Sequence, residues 1–247
     1  MNEGPVERIE TAFADHFEER QAALKDAGIV VRDVPGATLF AAKNRPDVDW
    51  MNTALLMDRP TDELVGTVGE FYRQLNIAPR LETLTGEPKG FVATGELFVL
   101  IGMAGAEPPA PPDVKIRRID RANFARFADT YVKAFDRPDI RRGDVDAWLA
   151  LDNWRFHLAE IDGAPAGAAM LSLHGDLGYL ASAATLPSMR RRGVHAALLR
   201  ARMLDAADAG CSLVFARAAP GGAGAAGLTR ARMVLSHRKQ IWTAVRA

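Results

Sequence analysis

The most restrictive pattern in the chain lies between Leu177 and Ala216. Leu177 to Ala184 reads as a strand, which Pro187 stops. A helix is predicted from about Val194 to Ala209, because Val194, Ala197, Leu198, Ala201 and Leu204 recur at spacings of three and four and so share one face. Gly210 supplies its stop, and Gly210 to Ala216 reads as the next strand. The turn between the first strand and the helix carries Arg190, Arg191, Arg192 and Gly193.

Such a turn suits an anion. The first amides of a helix have no acceptor within it and lie at the positive end of the helix dipole. Glycine lets a bulky group approach the backbone, and three arginines add charge beside it. Phosphate or pyrophosphate is the expected partner. No Gly-Lys-Ser/Thr follows, and no Gly-x-Gly-x-x-Gly is present, so neither common nucleotide loop is written here. Taken alone, three arginines before a glycine also describe an ordinary solvated helix start.

The surrounding order narrows the choice. Arg190 to Ala196 resembles the Arg/Gln-x-x-Gly-x-Gly/Ala signature of the GNAT acyltransferases, within a similar strand, loop, helix and strand. The resemblance runs from about Val114 to Trp242. It departs at His195, where the family has a small residue. Further on, Arg230, Met233 and Trp242 match, but Gly227 replaces an asparagine and Arg232 a glycine. It implies the GNAT acyl-CoA N-acyltransferase fold, an α/β (α+β) architecture with a mixed, mostly antiparallel sheet flanked by helices. It also implies acetyl-CoA as acyl donor. Ala183, Ala184, Thr185, Arg190, Arg191, Arg192, Gly193, Val194, His195 and Ala196 would then bind it, the strand amides meeting the acyl end and the loop amides the pyrophosphate.

Upstream, a helix is predicted from Pro5 to Ala27, with strands at Ile29–Val34, Ala37–Ala42 and Trp50–Met57. A helix capped by Thr61 runs to Leu75. A short segment and helix are expected from Ile77 to about Gly86, then a strand from Glu96 to Met103. This order resembles a worn copy of the same fold, so two tandem lobes are expected. Pro108, Pro109, Pro111 and Pro112 cannot continue a helix or a central strand. Residues 1–104 are thus taken as a degenerate lobe, 105–112 as a linker and 113–247 as the acyltransferase domain. After Val114–Ile119, Asp120 caps a helix, Val145–Leu151 forms another, and Trp154–Ile161 and Ala164–His174 pair through an Asp162-Gly163 turn. Ala218 to Gly227 is flexible by composition, and Met233–Val245 closes the chain.

Acyl transfer to an amine needs a positioned thioester, an oxyanion donor and a route for protons. Backbone amides can supply the first two. No carboxylate lies in Leu180 to Ala184, which leaves Ser182 to position a water, His174 as base and His237 as acid. Ser182 and His174 also have plainer readings, as a tolerated strand serine and an exposed hairpin histidine. A catalytically inactive CoA-binding or scaffold module of the same fold is the alternative.

Composition sets the remaining limits. Basic and acidic residues number 31 each, which gives no electrostatic case for nucleic acid or an anionic membrane. Five scattered histidines and a single cysteine, Cys211, argue against a metal site and an internal disulfide. Met1 to Pro5 carries no leader pattern, and no apolar run approaches the ~20 residues of a membrane span. The expectation is a cytoplasmic monomer or homodimer with a small-molecule or peptide amine as acceptor.

Overall fold

A computed structural model describes residues 4–245; the first three residues of the stretch read above for a leader lie outside it. The chain forms two compact units. One runs to Val99 and resumes at Ser236, and the other is Leu100–Leu235. The four prolines therefore lie inside the second unit, and the last strand is counted with the first.

In the first unit, helix α1 (Pro5–Ala22) is shorter than expected, and a separate turn of 3-10 helix at Lys25–Ala27 follows it. Strands β1 (Ile29–Val34), β2 (Ala37–Ala42) and β3 (Thr53–Leu56) pair antiparallel in sequence. Helix α2 (Asp62–Leu75) begins where predicted, with the Thr61 hydroxyl accepting the Leu64 amide at 3.2 Å. It crosses over to β4 (Arg80–Thr83), which lies parallel to β3. The helix expected over Ile77 to Gly86 is thus a strand. Its backbone is claimed on both sides, by β3 and by β12 (Val234–Ala244), which pairs with it antiparallel. Leu39, Leu56, Val68, Phe71, Leu81 and Trp242 share the apolar core.

A buried polar cluster also sits in this unit. Lys239, with no exposed surface, donates to Glu10 at 2.5 Å, and Glu10 also meets the His237 ring at 2.8 Å. An ammonium this deep is tolerated only because a carboxylate is fixed against it.

The second unit receives the end of β5 (Phe91–Met103). Strands β6 (Lys115–Ile119), β7 (Trp154–Ile161) and β8 (Ala164–His174) form an antiparallel run. Asp120 caps a short 3-10 turn through the Asn123 amide, and helix α3 (Phe124–Phe135) follows. Helix α4 (Arg142–Trp148) starts three residues earlier than expected. Aromatic contacts bind α3 to the sheet, with Phe124 and Phe127 at 4.9 and 5.2 Å from Phe156.

The predicted strand Leu177 to Ala184 splits. Its first part, β9 (Leu177–Tyr179), pairs with β8 and lies parallel to β11 (Leu213–Ala218). Its second part, β10 (Ala183–Thr185), pairs only with β8, opposite Gly167 to Ala169. Helix α5 (Val194–Asp208) connects β10 to β11. Asp205 anchors α5 to β7 through Arg155 and His157, the latter at 3.0 Å. Ala218 to Gly227, taken as flexible, contains the start of helix α6 (Ala223–Arg230), whose Ala225 and Leu228 are buried. So short a helix does not persist on propensity alone, and burial of its apolar stripe is what orders it. Among the described residues, no helix is long and apolar enough to cross a membrane.

Glu10→Gln is expected to lower the unfolding free energy by about 3–5 kcal/mol, because it leaves Lys239 buried without its counter-charge. Denaturant unfolding measures this. A loss below about 1 kcal/mol would show that the pair is not what accommodates the ammonium.

Candidate functional site

The site begins at the division between β9 and β10. Leu180 donates to the Phe215 carbonyl at 2.8 Å, holding the chain to β11. Two residues later it has turned to β8, where the Met170 amide bonds the Ser182 carbonyl at 3.1 Å. The turn costs backbone strain, since Ser182 has φ of 21°. It also leaves carbonyls that a continuous ladder would have satisfied.

A residue that periodicity passed over meets this need. Arg202 lies on the buried face of α5, 1% exposed. Its guanidinium donates to the carbonyls of Ala181 at 2.9 Å, Met170 at 3.1 Å and Leu198 at 3.1 Å. Burial lowers its pKa to about 10, so it remains charged at neutral pH. The predicted face had Ala201 and Leu204 instead, and both are only half-buried. Nothing in a 3.6-residue pattern marks an arginine as interior. The signal was the sheet itself, which must open here and leaves acceptors behind.

Beyond the opening, α5 begins without a side-chain cap. Gly193 is its N-cap at φ 76°, and no acidic residue stands in the first turn. The Ala197 amide is bonded to Gly193 at 3.0 Å, whereas the preceding amides have no acceptor inside a helix. A Cβ at Gly193 would fall 2.2 Å from Pro111, so the bare backbone is required by packing as well as by conformation. Arg191 also sits in the left-handed region, at φ 63°.

These elements border a cavity of about 930 Å³ within the second unit. From β10, Ala183, Ala184 and Thr185 line it. From the loop and helix start come Arg190, Arg191, Gly193, Val194, His195 and Ala196. Arg192 is not on its wall; it is exposed, with its guanidinium near the Met189 sulfur at 3.5 Å. Pro108, Pro109 and Arg230, not expected as part of the site, also line the cavity. Arg190, Arg191 and Arg230 make no ion pair with described residues, and no Asp or Glu lines the cavity. Its walls are therefore positive without internal compensation. His195 is held neutral, its pKa lowered to about 4 by burial, then by the charges of Arg202 and Arg230.

The proposed acid–base residues fare differently. Ser182 sits at the opening but is not on the cavity wall, and its hydroxyl bonds no described residue. His174 lies four residues beyond Met170 on β8, about 14 Å along the strand. There its Nε2 is 3.2 Å from the Ser172 hydroxyl. His237 belongs to the first unit, with one ring nitrogen on Glu10 and the other 3.0 Å from the Ser236 hydroxyl. Neither histidine is brought to the cavity. The sequence placed them at strand positions without showing which end of the strand the sheet would open. No described group of three or more His, Cys, Asp or Glu is placed to hold a metal.

Residues 121–232 match the model of the acetyltransferase (GNAT) family. They form a GNAT domain. Solved structures extend the likeness of fold over more of the chain. A GCN5-related N-acetyltransferase from Kribbella flavida has a TM-score of 0.68 at 15% identity, covering 100% of this chain and 98% of its own. A conserved protein of unknown function from Staphylococcus epidermidis gives 0.68 at 13%, covering 87% and 93%. A tandem GNAT protein from the clavulanic acid biosynthesis pathway gives 0.59 at 13%, covering 84% and 78%. Comparison with curated proteins gives no match. The cavity, the opened strand and the arginine loop all lie within or beside the GNAT domain.

Two outcomes test this geometry. Arg202→Met should speed amide exchange across residues 180–184 by about tenfold or more, as expected when a buried bond is lost. Exchange around Phe127 and Phe156 should not change; equal acceleration there would mean general loosening. For His195, the native pKa of about 4 lies below the ordinary 6.5, so the unfolded chain takes up its proton first as pH falls. Native stability is thus lost as pH drops from about 6.5 towards 4, and His195→Ala should lose less over that window. Parallel pH dependence of the two proteins in denaturant unfolding would contradict the assignment.

Proposed function

We propose that the chain is an acetyl-CoA-dependent N-acetyltransferase, moving the acyl group to a primary amine by direct attack. The observation that carries this reading is the cavity at the opened strand. Three unpaired arginines and an uncapped helix start face it, with no carboxylate on its wall. That is the electrostatics required by a ligand with several phosphates. Its volume falls within the range of about 300–1,000 Å³ usual for cofactor-sized ligands.

In this reading, Arg190, Arg191 and Arg230 and the amides of Val194, His195 and Ala196 hold the phosphates. The amides of β10, freed on the side away from β8, meet the acyl end. The acceptor nitrogen attacks the thioester carbonyl, the C–N bond forms and the C–S bond breaks. The proton lost by the amine ends on the departing thiolate, with Ser182 placed to order a water beside the opening. No resident metal takes part. The acceptor is a small molecule or peptide amine, and the setting is cytoplasmic, as a monomer or homodimer. The first unit is a degenerate second lobe; it repeats the parallel strand, helix, strand step as β3, α2 and β4. Its helix starts with Asp62 and Glu63, which repel an anion.

One observation favours the catalytically inactive CoA-binding module. Neither a carboxylate nor a tyrosine lines the cavity, and its only histidine is held neutral by a low pKa. Turnover separates the two readings.

Thermal unfolding with acetyl-CoA, CoA and ATP is the direct test. A ligand at 100 times its dissociation constant adds about 2.7 kcal/mol to the native state. Both CoA forms should raise Tm and ATP should not; no shift with either CoA form would overturn the reading. Glu at Arg190, Arg191 or Arg230 should weaken CoA binding by about tenfold or more, and Arg192→Glu by less. Thiol release in an amine screen would then distinguish transferase from module.

A further inference from the structure

Two residues of the cavity wall fit each other. A Cβ built at Gly227 would lie 2.9 Å from both Cε1 and Nδ1 of His195. Carbon atoms do not approach that closely without something moving, so no side chain at 227 is compatible with the ring where it stands. Two of the three positions at which the sequence departs from the GNAT pattern, 195 and 227, are thus one contact.

The ring has no hydrogen-bond partner among the described residues, yet it faces the cavity. As a neutral imidazole it offers one N–H donor and one lone-pair acceptor. The rest of the wall is different. Arginine only donates, and the alanines, glycines and prolines offer no side-chain hydrogen bond. Thr185 is the other uncharged side chain there able to donate and accept.

An acyl-CoA has two chemically distinct parts, a phosphate-bearing nucleotide and an uncharged arm with two secondary amides that ends in the thioester. The arginines answer the first part. An amide of the second both donates and accepts, and a group that can do either matches it where arginine, a donor only, answers just its carbonyl. We propose that His195, seated on the bare backbone of Gly227, hydrogen-bonds an amide of the uncharged arm and so sets how far the thioester reaches towards the opened strand. This rests on the acyl-CoA reading and gives it a specificity residue. A side chain at 227 and a ring at 195 are alternatives for the same space.

The experiment compares acetyl-CoA with adenosine 3′,5′-bisphosphate, which has phosphates but no arm, by titration calorimetry on the full chain. His195→Ala should weaken acetyl-CoA about tenfold, the worth of one hydrogen bond, and leave the bisphosphate unchanged. Gly227→Asn should displace the ring and weaken acetyl-CoA. In the double variant the asparagine amide, itself a donor and acceptor, has the room it needs, so affinity should recover above that of Gly227→Asn. The proposal is overturned if His195→Ala binds acetyl-CoA like the parent, if it loses both ligands equally, or if the double variant is no better than Gly227→Asn. Should Gly227→Asn fail to fold, the His195→Ala comparison still decides. A parent chain that binds neither ligand overturns the acyl-CoA reading itself, whereas a parent that binds acetyl-CoA beside an unaffected His195→Ala overturns only this assignment.

Discussion

A strand that leaves its neighbour abandons hydrogen bonds, and a buried backbone does not tolerate that loss without replacement. At the opening between Tyr179 and Ala183 the replacement is the Arg202 guanidinium, which reaches the carbonyls of Met170 and Ala181 from the facing helix. The cavity exists because the strand divides, and the division is supported because a charged group is buried beneath it. Among the described residues no carboxylate neutralises Arg202; its charge is met by carbonyl dipoles. It therefore adds to the positive field above it, and it helps to keep His195 unprotonated. Support of the backbone and electrostatics of the cavity are one arrangement here.

The two units share one local arrangement and differ in its chemistry. Each contains antiparallel strands followed by a parallel pair joined through a helix, β3–α2–β4 in one and β9/β10–α5–β11 in the other. In the first, β3 stays paired and α2 is capped by Thr61, with two carboxylates in its first turn. In the second, the strand splits and α5 starts on a glycine preceded by arginines. The two helix starts thus differ in charge, acidic in one unit and preceded by arginines in the other, and an anion is favoured only beside the second.

Much of this was legible in the chain. Periodicity located β1, β2, β7 and β8 to the residue, and Thr61, Asp120 and the Asp162-Gly163 turn announced their elements. The Arg190 to Ala196 loop was readable because a helix start and its charge are local. What depended on distant partners was not. Residues 80–83 become a strand only because two other strands claim their backbone. Arg202 reads as a surface residue until the acceptors it satisfies are known. His174 is suggested by its place at a strand end and His237 by analogy of position, but three-dimensional neighbours decide the role of a histidine. Gly227 and His195 looked like two separate departures because they are 32 residues apart in sequence.

The proline segment carries a lesson about chain order. Its composition suggests a tether, yet Pro108 and Pro109 are wall, Pro111 rests on Gly193, and Glu107 is tied to Arg200 on α5. The strand that ends the chain is counted with the opposite unit from the domain it follows. A fragment begun after the proline segment would lack Pro108 and Pro109 from the cavity wall while keeping a strand that is counted with the other unit. In this protein the order of the sequence and the boundaries of the compact units do not coincide.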